Sequence, residues 1–125
     1  MSKHILIADD DHLFVDILRM GFEKHAGSGY TVSAVENGQH TIKMLSERKP
    51  DMLILDLRMP NLDGYGVLQH MNENHTYVPV IIVTYYQDDM HKKKAEQFGV
   101  KSYLVKSDWK IEQLVNEIVK HLAAA

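Results

Sequence analysis

The sequence contains no cysteine and only three prolines among its 125 residues. Without cysteine the chain can form no disulfide, thiolate zinc site or iron–sulfur cluster, and it has no thiol nucleophile. No apolar run approaches the roughly 18 residues that a membrane-spanning helix needs. The N-terminal segment has neither a hydrophobic signal region nor a cleavage site. We therefore expect a cytoplasmic protein that does not enter a membrane.

A strong charge of either sign is also missing, because 14 basic and 17 acidic side chains give a formal net charge of -3. This balance creates no overall field that would attract nucleic acid, so we expect no direct nucleic-acid binding. The 45% hydrophobic and 25% charged composition is that of an ordinary globular protein. The length is typical of one domain, and we expect a single domain over residues 1–125.

Short β-branched apolar runs alternate along the chain with longer stretches in which apolar residues recur every three or four positions. This alternation is typical of repeated βα units. The runs predict five strands, at residues 5–8, 30–35, 52–57, 80–83 and 102–105. Two of them, 52–57 and 80–83, are apolar at successive positions, as in central parallel strands covered on both faces. We predict an α/β fold with a doubly wound, five-stranded parallel sheet.

The stretches between the strands predict helices whose apolar residues mark the faces that pack on the sheet. The first helix ends in a turn at residues 27–29, and a more polar fourth helix spans roughly 87–98. The inward face of the first helix is expected to hold Leu13, Phe14, Ile17, Leu18 and Phe22. The eight histidines show no zinc-type spacing, and we interpret them as scattered surface residues.

Polar side chains end four of the predicted strands: Asp9 and Asp10 the first, Asp56 the third, Thr84 the fourth and Lys106 the fifth. The carboxyl ends of parallel strands line one crevice, where ligands bind. Three carboxylates converging within about 4 Å would repel one another by roughly 4 kcal/mol per pair at an effective dielectric of about 20. The cluster therefore needs a cation, and ligation by oxygen alone favours Mg²⁺.

This set of groups suits phosphoryl transfer, in which positioning and charge neutralisation do most of the work. Asp56 would be the nucleophile, with the metal on one side of the phosphoryl group, Lys106 on the other and the Thr84 hydroxyl on a third oxygen. Singly, Thr84 would be an ordinary strand residue and Lys106 a surface lysine. Asp11 is interpreted as a helix N-cap, which leaves Asp9 and Asp10 without a structural role.

From Lys3 to about Leu122 the sequence resembles the receiver domain of two-component response regulators. The matching segments are ILIADDD at 5–11, LILDLRMPNLDGYGVL at 53–68, VIIVT at 80–84 and GVKSYLVK at 99–106. The resemblance implies a flavodoxin-like (βα)5 fold with strand order 2-1-3-4-5. It also implies that Asp9 and Asp10 are the metal pair, that Asp56 accepts a phosphoryl group from a histidine kinase, and that the backbone carbonyl of Arg58 is a further Mg²⁺ ligand.

The resemblance assigns further roles near the strand ends. Thr84 and Lys106 match the switch hydroxyl and the phosphate-binding lysine, and Tyr103 matches the aromatic residue that changes rotamer on activation. A tyrosine on a terminal strand can equally be a packing residue. Two positions depart from the family pattern: Tyr85 replaces the usual small residue, and Ser107 replaces the usual proline. We expect Tyr85 to act as an access gate for the phosphodonor.

The implied partners are a sensor histidine kinase or phosphotransfer protein, and a downstream protein or an output domain absent from this chain. A homodimer that depends on phosphorylation is left open. The output surface is expected on the fourth helix, the last strand and the C-terminal helix. The protein would catalyse its own aspartyl phosphorylation and dephosphorylation, without turnover on an external substrate.

Three alternatives differ in class. A haloacid-dehalogenase-type phosphatase needs Asp-x-Asp, whereas this chain has Asp56-Leu57-Arg58. A flavodoxin-like electron carrier needs a first loop that cradles phosphate, which the acidic run at 9–11 would repel. A receiver that has lost phosphorylation and serves as a docking module is kept open by Tyr85 and Ser107.

Overall fold

The computed structural model describes residues 3–26 and 29–124. The turn predicted at 27–29 falls in part on residues outside that description. Within the described residues no helix is long and apolar enough to cross a membrane. In chain order the elements are β1 (Lys3–Ala8), α1 (His12–Ala26), β2 (Tyr30–Val35), α2 (Gly38–Glu47), β3 (Met52–Leu55), α3 (Gly64–Glu73), β4 (Val80–Thr84), α4 (Asp89–Glu96), β5 (Ser102–Val105) and α5 (Ile111–Ala124).

The five strands form one parallel sheet in the order β2-β1-β3-β4-β5. This confirms the predicted doubly wound fold and strand order. Ala8 of β1 pairs with Leu55 of β3, and Thr84 of β4 pairs with Val105 of β5. The residues that follow these strands therefore emerge at one edge of the sheet.

Alternate strand residues point to opposite faces, so the sheet separates two apolar layers. One layer joins β1, β3, β4 and β5 to α1 and α5, and contains Ile7, Ile54, Val83, Leu18, Phe22 and Ile118. The other joins the same strands to α2, α3 and α4, and contains Leu6, Leu55, Ile82, Leu45, Val67 and Ala95. Burial on both faces explains why the central strands are apolar at every position.

The predicted third strand is too long by two residues. Regular pairing ends at Leu55, although Asp56 N–H still donates to the Ala8 carbonyl at 2.9 Å. The Leu57 carbonyl accepts a hydrogen bond from Gly64 N–H at 3.0 Å and so belongs to the turn before α3. Leu57 stays buried, which is why its hydrophobicity imitates a strand residue.

The inward face predicted for α1 is partly wrong. Leu13 is 70% exposed and Ile17 is 38% exposed, whereas Val15, which the pattern omitted, is buried together with Leu18 and Phe22. The helix carries apolar residues over more than half of its circumference, so periodicity alone does not select the packed arc. Packing against the sheet and α5 determines which face of α1 is buried.

Helix α4 is shorter than the predicted span 87–98. The Asp88 side chain accepts a hydrogen bond from His91 N–H at 3.0 Å, and this N-cap places the helix start at Asp89. The chain leaves the helix after Glu96 and reaches Gly99 with φ +79°, a left-handed conformation that glycine adopts without strain.

Candidate functional site

Three carboxylates meet where β1 and β3 end. Oxygen atoms of Asp9, Asp10 and Asp56 lie within 4.8 Å of one another. The backbone fixes two of these residues, because Asp9 N–H donates to the Val35 carbonyl at 3.0 Å and Asp56 N–H donates to the Ala8 carbonyl at 2.9 Å. The predicted convergence of these side chains is confirmed.

The donor set of this cluster consists of carboxylate oxygens. Asp9 and Asp56 are buried, with 3% and 6% of their surface exposed, whereas Asp10 is exposed. Hard divalent cations prefer such oxygen ligands, and one exposed member leaves a route from solvent. The three residues can therefore hold a metal ion.

Lys106 closes the cluster from the end of β5. Its Nζ atom lies 2.8 Å from Asp9 Oδ2 and 3.1 Å from Asp56 Oδ2, and its side chain is only 2% exposed. Burial alone would lower the pKa of the Lys106 ammonium. The hydrogen bond to Asp9 and the charge of Asp56 outweigh burial, and the pKa is raised. The ammonium therefore stays charged between the two buried carboxylates.

Burial disfavours the ionised form of the Asp9 carboxyl. Burial, opposed by the hydrogen bond from Lys106 and reinforced by the charge of Asp56, raises the pKa of Asp9 to about 6. One lysine thus does not fully compensate two buried acids. The metal-free cluster retains an unbalanced negative charge that a cation would relieve.

A chain of hydrogen bonds joins Asp9 to the start of α1. Asp11 N–H donates to Asp9 Oδ1 at 2.9 Å, and Phe14 N–H donates to Asp11 Oδ1 at 3.1 Å. Asp11 is therefore the helix cap that its sequence position predicts. The same contacts hold the first turn of α1 against the carboxylate cluster.

Thr84, the last residue of β4, and Arg58, in the loop after β3, lie at this edge of the sheet. Thr84 is fully buried, and its Oγ1 accepts a long hydrogen bond of 3.5 Å from Tyr86 N–H. The exposed Arg58 donates its backbone N–H to Asp56 Oδ1 at 3.2 Å. A metal-ligating role for the Arg58 carbonyl stays a prediction.

Tyr103 connects β5 to the loop between β4 and α4. Its hydroxyl donates to the Tyr86 carbonyl at 2.8 Å, and the ring is half-buried. Burial is the main cause that raises the pKa of the Tyr103 hydroxyl to about 12, so the group remains a hydrogen-bond donor at neutral pH. Ser107, in a short 3-10 helix after β5, reaches the same region by accepting a hydrogen bond from the Gln87 amide at 3.3 Å.

Two aromatic rings flank the Lys106 ammonium. The Tyr85 ring centroid lies 4.9 Å from Nζ, and the Phe14 ring centroid lies 4.3 Å from it. Tyr85 is 58% exposed, which suits the predicted position at the mouth of the site. The periodicity of α1 assigned Phe14 to the core. Its place one turn after Asp11 is the signal that could have identified it as a site residue.

The interpretation of the histidines as scattered surface residues is wrong for His4, and His91 has specific contacts. His4 is buried in β1, where its Nε2 lies 2.9 Å from Ser33 Oγ. His91 is half-buried, stacks on the Tyr86 ring at 4.2 Å and bonds the Tyr65 hydroxyl. The contacts with Ser33 and Tyr65 join residues that are far apart in the sequence, so local spacing gave no signal for them.

Comparison with known proteins shows which family this chain matches and which proteins it is similar to. Residues 5–119 match the family described as "Response regulator receiver domain". The sequence is 29% identical over 106 residues to the alkaline phosphatase synthesis transcriptional regulatory protein PhoP of Bacillus subtilis (strain 168), covering 85% of this chain and 43% of PhoP. It is 34% identical over 102 residues to the DNA-binding transcriptional regulator NtrC of Escherichia coli (strain K12), covering 82% of this chain and 21% of NtrC.

The chain thus spans less than half the length of these two relatives. Among solved structures, it is similar to a DNA-binding response regulator of the LuxR family from Staphylococcus aureus. The TM-score is 0.85 and the sequence identity 29%, and the match covers 96% of this chain and 98% of that chain.

Proposed function

The chain belongs to the response regulator receiver domain family of two-component signalling, and we propose that it accepts a phosphoryl group on Asp56 from the phosphohistidine of a histidine kinase or phosphotransfer protein. The observation that carries this proposal is the contact of Lys106 Nζ with both Asp9 and Asp56 beside the carboxylate cluster. The Asp56 carboxylate, the Lys106 ammonium and the carboxylate oxygens that could hold a metal ion lie close together, which supports the proposal.

In the proposed reaction an oxygen of Asp56 attacks the phosphorus of the donor. The new bond joins that oxygen to phosphorus while the bond between phosphorus and the donor's imidazole nitrogen breaks. The electron pair of the broken bond goes to the imidazole, which takes up a proton. Lys106 neutralises charge on a phosphoryl oxygen, and the Thr84 hydroxyl donates a hydrogen bond to another.

Asp9, Asp10 and Asp56, together with the Arg58 carbonyl, would hold Mg²⁺. The fit rests on their oxygen-only donor set and on the spacing of at most 4.8 Å between the carboxylate oxygens. When bound, the ion supplies neutralisation of the acceptor carboxylate and of the incoming phosphoryl charge.

The proposed output passes through the link between β5 and the loop before α4. The hydrogen bond from Tyr103 to the Tyr86 carbonyl joins these two segments, and Thr84, the last residue of β4, directly precedes the same loop. Phosphorylation at Asp56 would draw Thr84 toward the phosphoryl group and shift the balance between two arrangements of this loop. The surface of α4, β5 and α5 would then bind a downstream protein, an attached output domain or a second copy of the chain.

Both relatives described above are named as transcriptional regulators and are longer than this chain. A similar attached domain is one form that the proposed output could take. A single domain over residues 1–125 and a cytoplasmic location are further parts of this proposal.

Intact-mass spectrometry after incubation with acetyl phosphate and Mg²⁺ tests the proposal. We expect one phosphoryl group on the parent protein and none on Asp56→Asn, with no labelling in excess chelator. Asp16→Asn is the matched control, because Asp16 is exposed on α1 and lies outside the cluster. Equal labelling of Asp56→Asn and the parent, or full labelling in chelator, would refute the proposal.

A further inference from the structure

We propose that Phe14 is a positioning residue for Lys106, and that its ring holds the ammonium group where phosphoryl transfer to Asp56 requires it. The inference rests on the proposed function and adds to it a residue whose side chain carries no polar atom. In this role Phe14 acts through Lys106 and takes no part in the chemistry.

The geometry is that of a cation–π contact. Lys106 Nζ lies 4.3 Å from the centroid of the Phe14 ring, well inside the roughly 6 Å over which such contacts act. The Lys106 side chain is 2% exposed, so little water competes with the ring. Cation–π attraction is strongest in this kind of desolvated setting.

The partners of the ammonium differ in what the proposed reaction does to them. An ammonium has three donors, and Asp9 and Asp56 each accept one hydrogen bond from it. In the proposed reaction both carboxylates would also be metal ligands, and the carboxyl oxygens of Asp56 lose their negative charge when the acyl phosphate forms, because the charge then lies on the phosphoryl oxygens. The ring of Phe14 undergoes neither change. It therefore limits the position of a flexible four-carbon side chain throughout the transfer.

The backbone holds Phe14 in place for this role. Its N–H donates to Asp11 Oδ1 at 3.1 Å, and Asp11 N–H in turn donates to Asp9 Oδ1 at 2.9 Å. The ring also packs against the apolar layer between the sheet and α1. Both ends of the contact between Phe14 and Lys106 are thus tied to the same carboxylate.

Tyr85 contributes differently although it flanks the same ammonium. Its ring centroid is farther from Nζ, at 4.9 Å, and the residue is 58% exposed. An exposed cation–π contact is worth less than a desolvated one. Its bulk at the mouth of the site therefore dominates, and the two rings are expected to have opposite effects on the rate.

The experiment compares Phe14→Leu, which removes the ring, with Phe14→Tyr, which keeps it. Phe22→Leu is the matched control, because Phe22 is a buried phenylalanine of the same helix that lies outside the contacts of Lys106. The first measurement is the NMR shift of the Lys106 ε-methylene protons in the metal-free protein. The second is the rate of Asp56 phosphorylation by acetyl phosphate at saturating Mg²⁺.

The ring should shield the ε-methylene protons, and we expect an upfield shift in the parent, Phe14→Tyr and Phe22→Leu that is lost in Phe14→Leu. The phosphorylation rate of Phe14→Leu should fall about fivefold, with near-parental rates in Phe14→Tyr and Phe22→Leu. A parent that takes no phosphoryl group would overturn the proposed function. If the parent is phosphorylated, an unchanged rate in Phe14→Leu, or an equal loss in Phe22→Leu, would overturn the positioning role alone.

Discussion

Replacing Asp9 by asparagine should stabilise the metal-free protein, even though it removes one partner of a buried ion pair. Burial raises the pKa of Asp9 to about 6 despite the hydrogen bond from Lys106, so the ionised carboxylate is less favourable in the folded protein than in the unfolded chain. Asparagine has nearly the same shape and no charge. Its amide oxygen can still accept a hydrogen bond from Lys106 Nζ.

The size of the effect follows from the pKa difference. The carboxyl changes from an ordinary value of 3.8 to about 6, and each unit corresponds to about 1.4 kcal/mol. Asp9→Asn should therefore be more stable than the parent by about 3 kcal/mol when Asp9 is ionised in both states.

The raised pKa of Asp9 also determines how the stability difference between the parent and Asp9→Asn changes with pH. A carboxyl with a raised pKa in the folded state stabilises the fold most while it is protonated, and this contribution is lost as the pH rises through the folded value. The free energies of unfolding of parent and Asp9→Asn should thus be similar near pH 4. They should separate between about pH 4 and 6 and reach their full difference above pH 7.

Urea unfolding in the presence of chelator, at several pH values between 4 and 8, measures this difference. Asp16→Asn, on the exposed face of α1, controls for the loss of a negative charge as such. Adding Mg²⁺ should stabilise the parent more than Asp9→Asn, because the proposed Mg²⁺ site of the folded protein includes this carboxylate. A metal-free Asp9→Asn that is less stable than the parent at pH 8 would refute the reasoning.

Two further predictions concern His4 and Tyr85. Burial lowers the pKa of His4 from 6.5, so the free energy of unfolding should fall as the pH drops below about 6.5. Urea unfolding of the parent and His4→Phe from pH 8 to 5 measures this loss, because the opposite pH trend of Asp9 is common to both proteins and cancels in their difference. A difference in the free energy of unfolding that stays constant over this pH range would contradict the prediction. Tyr85→Ala should accelerate both phosphorylation by acetyl phosphate and hydrolysis of the phosphorylated protein without weakening Mg²⁺ binding, because it removes bulk from the mouth of the site. Quenched time courses of both reactions test this prediction. Rates that stay within about twofold of the parent would exclude a role of Tyr85 as an access gate.

The sheet could be predicted from the sequence because buried parallel strands leave a simple signal. Five apolar runs marked the strands, and their order followed from the resemblance. The carboxylate cluster was also predictable, since parallel strands bring their carboxyl ends to one edge whatever the details of packing. Asp9 and Asp56 needed no further information to be placed together.

The missed features depend on which side chains meet across the fold. Val15 is buried and Leu13 exposed because of how α1 sits against the sheet and α5, which helical periodicity does not determine. The contact of His91 with the Tyr65 hydroxyl joins α4 to α3 and leaves no pattern in the local sequence. Phe14 satisfied the helical pattern as a core residue, and this concealed its contact with Lys106.

The charges of the site bear on how a cluster of acidic residues could accept a phosphoryl group from an anionic donor. Asp9, Asp10 and Asp56 contribute three negative charges near neutral pH, and Lys106 contributes one positive charge that both buried acids already engage. The remaining two negative charges repel a phosphodonor. A divalent cation would cancel them and at the same time weaken the hold of the carboxylates on the ammonium. The charge balance therefore predicts that the proposed phosphorylation depends on a divalent ion, and the proposed role of the Phe14 ring is to keep the released ammonium in the site.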